Sequence, residues 1–97
     1  MSTELLTPYE KGNLNQTTTW AECIAWYESL AADYPNVLRF EKVGVSDAGV
    51  PIHAGVVSSD GVFEREAIKR AGRPVFFNNN GIHPGEPEGV DGCMAIV

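Results

Sequence analysis

The feature that most constrains the fold is an apolar run that stops abruptly: Pro74, Val75, Phe76 and Phe77 are followed by three asparagines and Gly81. A short unbroken apolar run bounded by turn residues is the pattern of a strand buried on both faces in the middle of an α/β sheet. The chain then reads Gly81-Ile82-His83-Pro84-Gly85-Glu86-Pro87-Glu88-Gly89, after which apolar residues recur at Val90, Cys93, Met94 and Val97 with helical spacing. Strand, punctuated loop and helix in that order put the loop at the carboxyl end of a strand, where open α/β sheets collect their ligand sites.

Upstream, residues 1–18 are polar and turn-rich, with Pro8, Gly12, Asn13 and Asn15, and are expected to form an extended lead-in. Thr19-Trp20-Ala21-Glu22 fits a capping box, in which the Thr hydroxyl and the Glu carboxylate each satisfy an orphan N–H at a helix start. Trp20, Cys23, Ile24, Tyr27, Leu30, Ala31 and Tyr34 then trace one helical face, and Pro35 ends the helix. At that spacing the aromatic stripe reads as core rather than as a ligand box. Residues 37–45 and 50–57 are β-branched runs separated by Ser46-Asp47-Ala48-Gly49, which predicts a hairpin. Residues 58–73 are charged and predict a solvated loop or a short exposed helix. The fold class is therefore α/β, in the order helix, β-hairpin, buried strand, helix. Val97 falls on the apolar stripe of the second helix with no Gly, Asn or basic last turn, so residues 19–97 are expected to be the N-terminal part of a single domain, cut short at its C-terminus.

A chain of 97 residues supports one modest core. Thirteen acidic against seven basic side chains give a formal charge of −6, which repels phosphate backbones and anionic lipid, so neither a nucleic-acid nor a membrane partner is expected. No run reaches the ~18–20 apolar residues of a membrane span, and residues 1–15 lack the charged and apolar regions of a signal peptide. Cys23 and Cys93 form neither a disulfide framework nor a zinc-ribbon spacing and read as small core residues. Ser58 and Ser59 have no nucleophile-elbow context, and no Gly-rich phosphate loop is present.

The chemistry concentrates at His83 and Glu86. Three residues apart at a strand-to-helix junction, they would lie one turn apart with side chains on the same side. An imidazole and a carboxylate so arranged can both reach one Zn²⁺ at about 2.0–2.2 Å. H-x-x-E alone is a weak signal, because a loop His near a Glu is commonly a surface pair. Its setting strengthens it, since a loop this rich in Asn, Gly and Pro holds a fixed shape.

The wider pattern resembles the M14 family of zinc carboxypeptidases from Thr17 to Val97. The opening helix ending at Pro35 matches. So does a hairpin signature of the type G-x-S-x-x-G-x-P-I, here Gly44, Ser46, Gly49, Pro51 and Ile52. The hydrophobic strand running into G-I-H-x-x-E follows as Gly81, Ile82, His83 and Glu86. The resemblance implies a mixed-sheet carboxypeptidase-like α/β fold, a Zn²⁺ cofactor with His83 and Glu86 as two of three protein ligands, and peptide substrates that lose their C-terminal residue. It also implies a third ligand His and a general-base Glu beyond Val97, so that no catalytic base lies within this chain and the 97 residues alone would be inactive. A secreted or periplasmic setting is common to the family, although this chain carries no signal peptide. One departure concerns specificity: many members carry Arg immediately before the ligand Glu, where this chain has Gly85. His53, alone on the second hairpin strand, reads as a structural residue. Two rivals remain open, an amide deacylase of the succinylglutamate desuccinylase type, whose motif is similar, and a non-catalytic α/β module.

Overall fold

The structure is a computed structural model that describes residues 5–97. It is mixed α/β, with helices α1 (Pro8–Lys11), α2 (Trp20–Asp33), α3 (Arg65–Arg70) and α4 (Glu88–Ile96) and a two-stranded antiparallel sheet of β1 (Leu38–Val45) and β2 (Pro51–Val57). Two compact units divide the chain, one formed by Met1–Trp26 with Phe76–Val97 and the other by Tyr27–Val75. No helix among the described residues is long and apolar enough to cross a membrane.

The lead-in is not extended throughout. Its first four residues lie outside the described ones, but Thr7 caps a single helical turn over Pro8–Lys11. Glu10 N–H donates to the Thr7 hydroxyl at 3.3 Å, and Thr7 N–H donates to the Glu10 carboxylate at 2.7 Å. Pro8 at the first helical position costs no hydrogen bond there. The same device starts α2, where Thr19 and Glu22 exchange bonds of 2.9 and 3.2 Å. Helix α2 stops at Asp33, and the Tyr34 carbonyl accepts from both Val37 and Leu38 N–H at 3.0 Å, which uses an otherwise orphaned acceptor before Pro35.

The hairpin forms as the two β-branched runs predict. Ser46 N–H donates to Val50 and Gly49 N–H to Ser46 across the turn, each at 2.9 Å. Lys42 pairs with His53 and Gly44 with Ile52, so Val43 is an extra residue, a bulge that re-aims the strand end. Tyr27, Phe40 and His53 stack in a row, with ring centroids 5.2 and 5.0 Å apart. Leu30 and Leu38 are the buried apolar side chains of this unit. Residues 58–73 contain the short exposed helix α3. Arg39 lies 4.7 Å over the Phe63 ring and pairs with Glu64 at 3.2 Å. Arg73 pairs with Asp60. The guanidinium first, and then the Ser58 hydroxyl, hold the Asp60 carboxyl well below the usual range.

The buried strand expected over residues 74–77 does not form. Val75, Phe76 and Phe77 are 76%, 91% and 82% exposed, and residues 73–80 carry no regular structure. A strand needs a neighbour to take its backbone groups, and none among the described residues lies beside this segment. The apolar run is present in sequence, but nothing in these residues covers it. Helix α4 follows at Glu88, with Met94 buried on its inner face.

Candidate metal centre

The segment between the exposed run and α4 is a loop held at both ends by that helix. Gly81 opens it at a φ of +74°, a left-handed conformation that a side chain would strain. A methyl placed on Gly81 would sit 3.5 Å from the Val90 side chain, so the loop start lies against the first turn of α4. Gly89 faces Asn80 still more closely: a methyl there would come within 2.9 Å of Asn80 Oδ1, and the carboxamide would have to turn away. At the other end, Asp91 N–H donates to the Pro87 carbonyl at 3.0 Å.

Within this loop, Glu86 N–H donates to the His83 carbonyl at 3.1 Å. The i, i+3 spacing is thus closed by a turn that precedes α4, not by the first turn of the helix. Both side chains are exposed. Neither takes part in a hydrogen bond or ion pair among the described residues, so the imidazole and the carboxylate remain available. Pro84 and Pro87 fix two of the φ angles around them. Gly85 stands in open space, with nothing within 4 Å of the position a methyl would take, so the absence of a larger side chain there is not forced by packing.

A nitrogen and an oxygen donor on one exposed turn suit Zn²⁺, which takes His and Glu ligands readily, but they fill only half of a tetrahedral shell. No group of three or more His, Cys, Asp or Glu side chains able to hold a metal occurs among the described residues. His53 belongs to the other compact unit, half-buried against Phe40, with its Nδ1 buried and without a hydrogen-bond partner among the described residues. The donor types therefore fit a zinc ion, and the donor number calls for further ligands.

One residue beside the loop, Asp91, escaped the sequence reading. Asp91, buried in α4, accepts from the Thr17 hydroxyl at 2.6 Å and from Thr18 N–H at 3.1 Å. Burial pushes its carboxyl up, but these hydrogen bonds outweigh burial and hold it below the ordinary carboxylate value. An Asp near a helix start gives no sign in sequence that it reaches back 74 positions. Cys23 and Cys93 are half-buried free thiols. Burial, then the charges of Asp91 and Cys93, push the Cys23 thiol up, which disfavours the nucleophilic thiolate. Cys93 instead accepts from the Asn78 amide at 3.5 Å. Ser58 donates to the Asp60 carboxylate at 3.0 Å, a poor proton acceptor because Arg73 holds its carboxyl well below the usual range.

The family model for zinc carboxypeptidases matches residues 23–97. No curated protein and no solved structure matches the chain.

Proposed function

This chain belongs to the zinc carboxypeptidase family, and from that premise we propose that it forms part of a peptidase releasing C-terminal residues, with His83 and Glu86 as two ligands of its zinc. One observation supports the reading above the rest: the two donors share one closed turn, exposed and unpaired, at the mouth of α4. A zinc ion bound there supplies Lewis acidity for hydrolysis of an amide bond. Gly81, Pro84 and Pro87 hold the turn in shape, so that little conformational freedom is lost when the ligands engage. Hydrolysis at this site calls for a further ligand and a carboxylate base, and no group of three or more metal-holding side chains occurs among the described residues.

Gly85 supports a second reading. It leaves open the place where many family members present an Arg toward the scissile carbonyl, and a site without that cation suits an amide deacylase as well as a peptidase. Substrate comparison separates the two. A longer, zinc-loaded chain containing these residues is given N-blocked dipeptides and N-succinyl amino acids side by side. Faster release of the C-terminal amino acid from blocked dipeptides, lost with chelator and with His83→Ala or Glu86→Ala, is the expected result. Preferential release of succinate establishes the deacylase. No metal-dependent turnover of either substrate makes the chain a non-catalytic module.

A further inference from the structure

We propose that Asp91 is a positioning residue for the metal-ligand turn: by tying α4 to Thr17 and Thr18, it fixes the base on which both ends of the His83–Glu86 loop rest. The geometry is specific. The Thr17 hydroxyl donates to Oδ2 at 2.6 Å and Thr18 N–H donates to Oδ1 at 3.1 Å, so both carboxylate oxygens are engaged and the side chain cannot rotate freely. Asp91 N–H meanwhile holds the Pro87 carbonyl at the end of the loop, at 3.0 Å. Its neighbour Val90 lies against Gly81 at the beginning of the loop. Loop start and loop end therefore converge on two adjacent residues, and one of those two is anchored to the segment that leads into α2. If the anchor loosens, the first turn of α4 frays, as helix termini do, and the donors lose their fixed separation. Metal sites lose affinity when the groups supporting their ligands are removed, typically by 10–100-fold.

The zinc part of this proposal rests on reading His83 and Glu86 as ligands, whereas the positioning part does not. The experiment therefore reads both, on the full 97-residue chain. Hydrogen exchange is measured without metal at the Glu86 and Asp91 amides, which donate within and next to the loop, and at hairpin amides as an internal control. Zinc affinity is measured separately by calorimetry. Asp91→Ala should speed exchange at Glu86 and Asp91 by about tenfold or more with the hairpin unchanged, and weaken zinc binding by about tenfold. Asp91→Asn keeps an acceptor for Thr18 N–H and can donate to the Thr17 hydroxyl, so it should restore both readouts to within about threefold, which separates geometry from charge. Unchanged exchange at Glu86 in Asp91→Ala overturns the proposal. If Asp91→Ala loses the hairpin protection as well, Thr17→Val decides the matter: it removes one donor at an exposed position, and faster exchange at Glu86 alone supports the anchor while equal exchange overturns it. Zinc binding by the parent chain that persists unchanged in His83→Ala overturns the ligand reading and leaves the exchange result to decide the anchor.

Discussion

His83 and Glu86 are joined through the backbone, the Glu86 N–H donating to the His83 carbonyl at 3.1 Å. A pair of donors on adjacent arms of one closed turn is partly preorganised, because the chain segment between them is already ordered before any ion arrives. Preorganisation lowers the entropic cost of binding but does not add ligands.

Zinc binding by the 97 residues is accordingly expected to be weak, at best micromolar, since two protein ligands leave half the shell to water. Calorimetric titration gives the constant, and His83→Ala should abolish what binding there is. Nanomolar, stoichiometric binding would mean that another side chain completes the site.

Self-association is expected from the apolar run. Phe76 and Phe77 are 91% and 82% exposed on a segment with free backbone groups, and unpaired extended chain beside uncovered aromatics is a template for pairing with another copy. Leu30, Leu38 and Met94 are the buried apolar side chains among the described residues, too few to confer high stability. Sedimentation should show association that grows with concentration, and Phe76→Glu should shift it toward monomer. A monomer with a sharp melt above about 60 °C would contradict this.

Local signals were readable in the sequence, and long-range ones were not. Thr19 and Glu22 announce the start of α2, Pro35 marks its end, and Ser46 to Gly49 mark the turn, because each acts through neighbours within a few residues. The Thr7/Glu10 cap before Pro8 carries the same signature, hidden in a stretch whose turn residues suggested no helix. The apolar run at Val75–Phe77 has the composition of a buried strand, but burial is a property of what packs against it. The His83/Glu86 spacing was legible, whereas the anchoring of the following helix by Thr17 and Thr18 was not, since no periodicity encodes a contact over 74 positions.

Acid should weaken the fold partly through Asp91. Its lowered folded pKa adds stability that is complete above the unfolded value of about 3.9 and is lost as pH falls through the folded value. The urea midpoint should therefore fall as the pH is taken below about 5, and fall less in Asp91→Asn. A residual drop belongs to Asp60, Glu10 and Glu22, whose carboxyls are also lowered by their hydrogen bonds. Equal drops in the parent and Asp91→Asn would remove Asp91 from this account.

His53 is expected to be replaceable. Its ring stacks on Phe40 with planes 5° apart, while its buried Nδ1 has no partner among the described residues. A desolvated nitrogen without a hydrogen bond costs about 1–3 kcal/mol, and an aromatic pair contributes about 0.5–1.5 kcal/mol. His53→Phe keeps the stack and removes the orphan, so urea unfolding should show a gain of about 1 kcal/mol, with His53→Ala losing stability instead. A His53→Phe variant less stable than His53→Ala would reveal a polar role for the imidazole.

The 97 residues alone are expected to show no peptidase activity. Metal coordination, proton transfer and substrate orientation act as a unit, so loss of one member removes most of the rate and not a proportionate share. Here the His83/Glu86 pair has no third metal-holding side chain grouped with it among the described residues. A longer chain that adds a third imidazole ligand and a carboxylate base should be at least ~10⁴-fold faster, combining a proton-transfer factor of about 10²–10⁴ with the effect of firmer metal binding. That activity should vanish with His83→Ala or Glu86→Ala. Release of free amino acid from blocked dipeptides with added zinc, with and without chelator, measures both chains on one scale. Chelator-sensitive turnover by the short chain at a rate near that of the longer one would overturn the two-ligand reading and place a complete site within these residues.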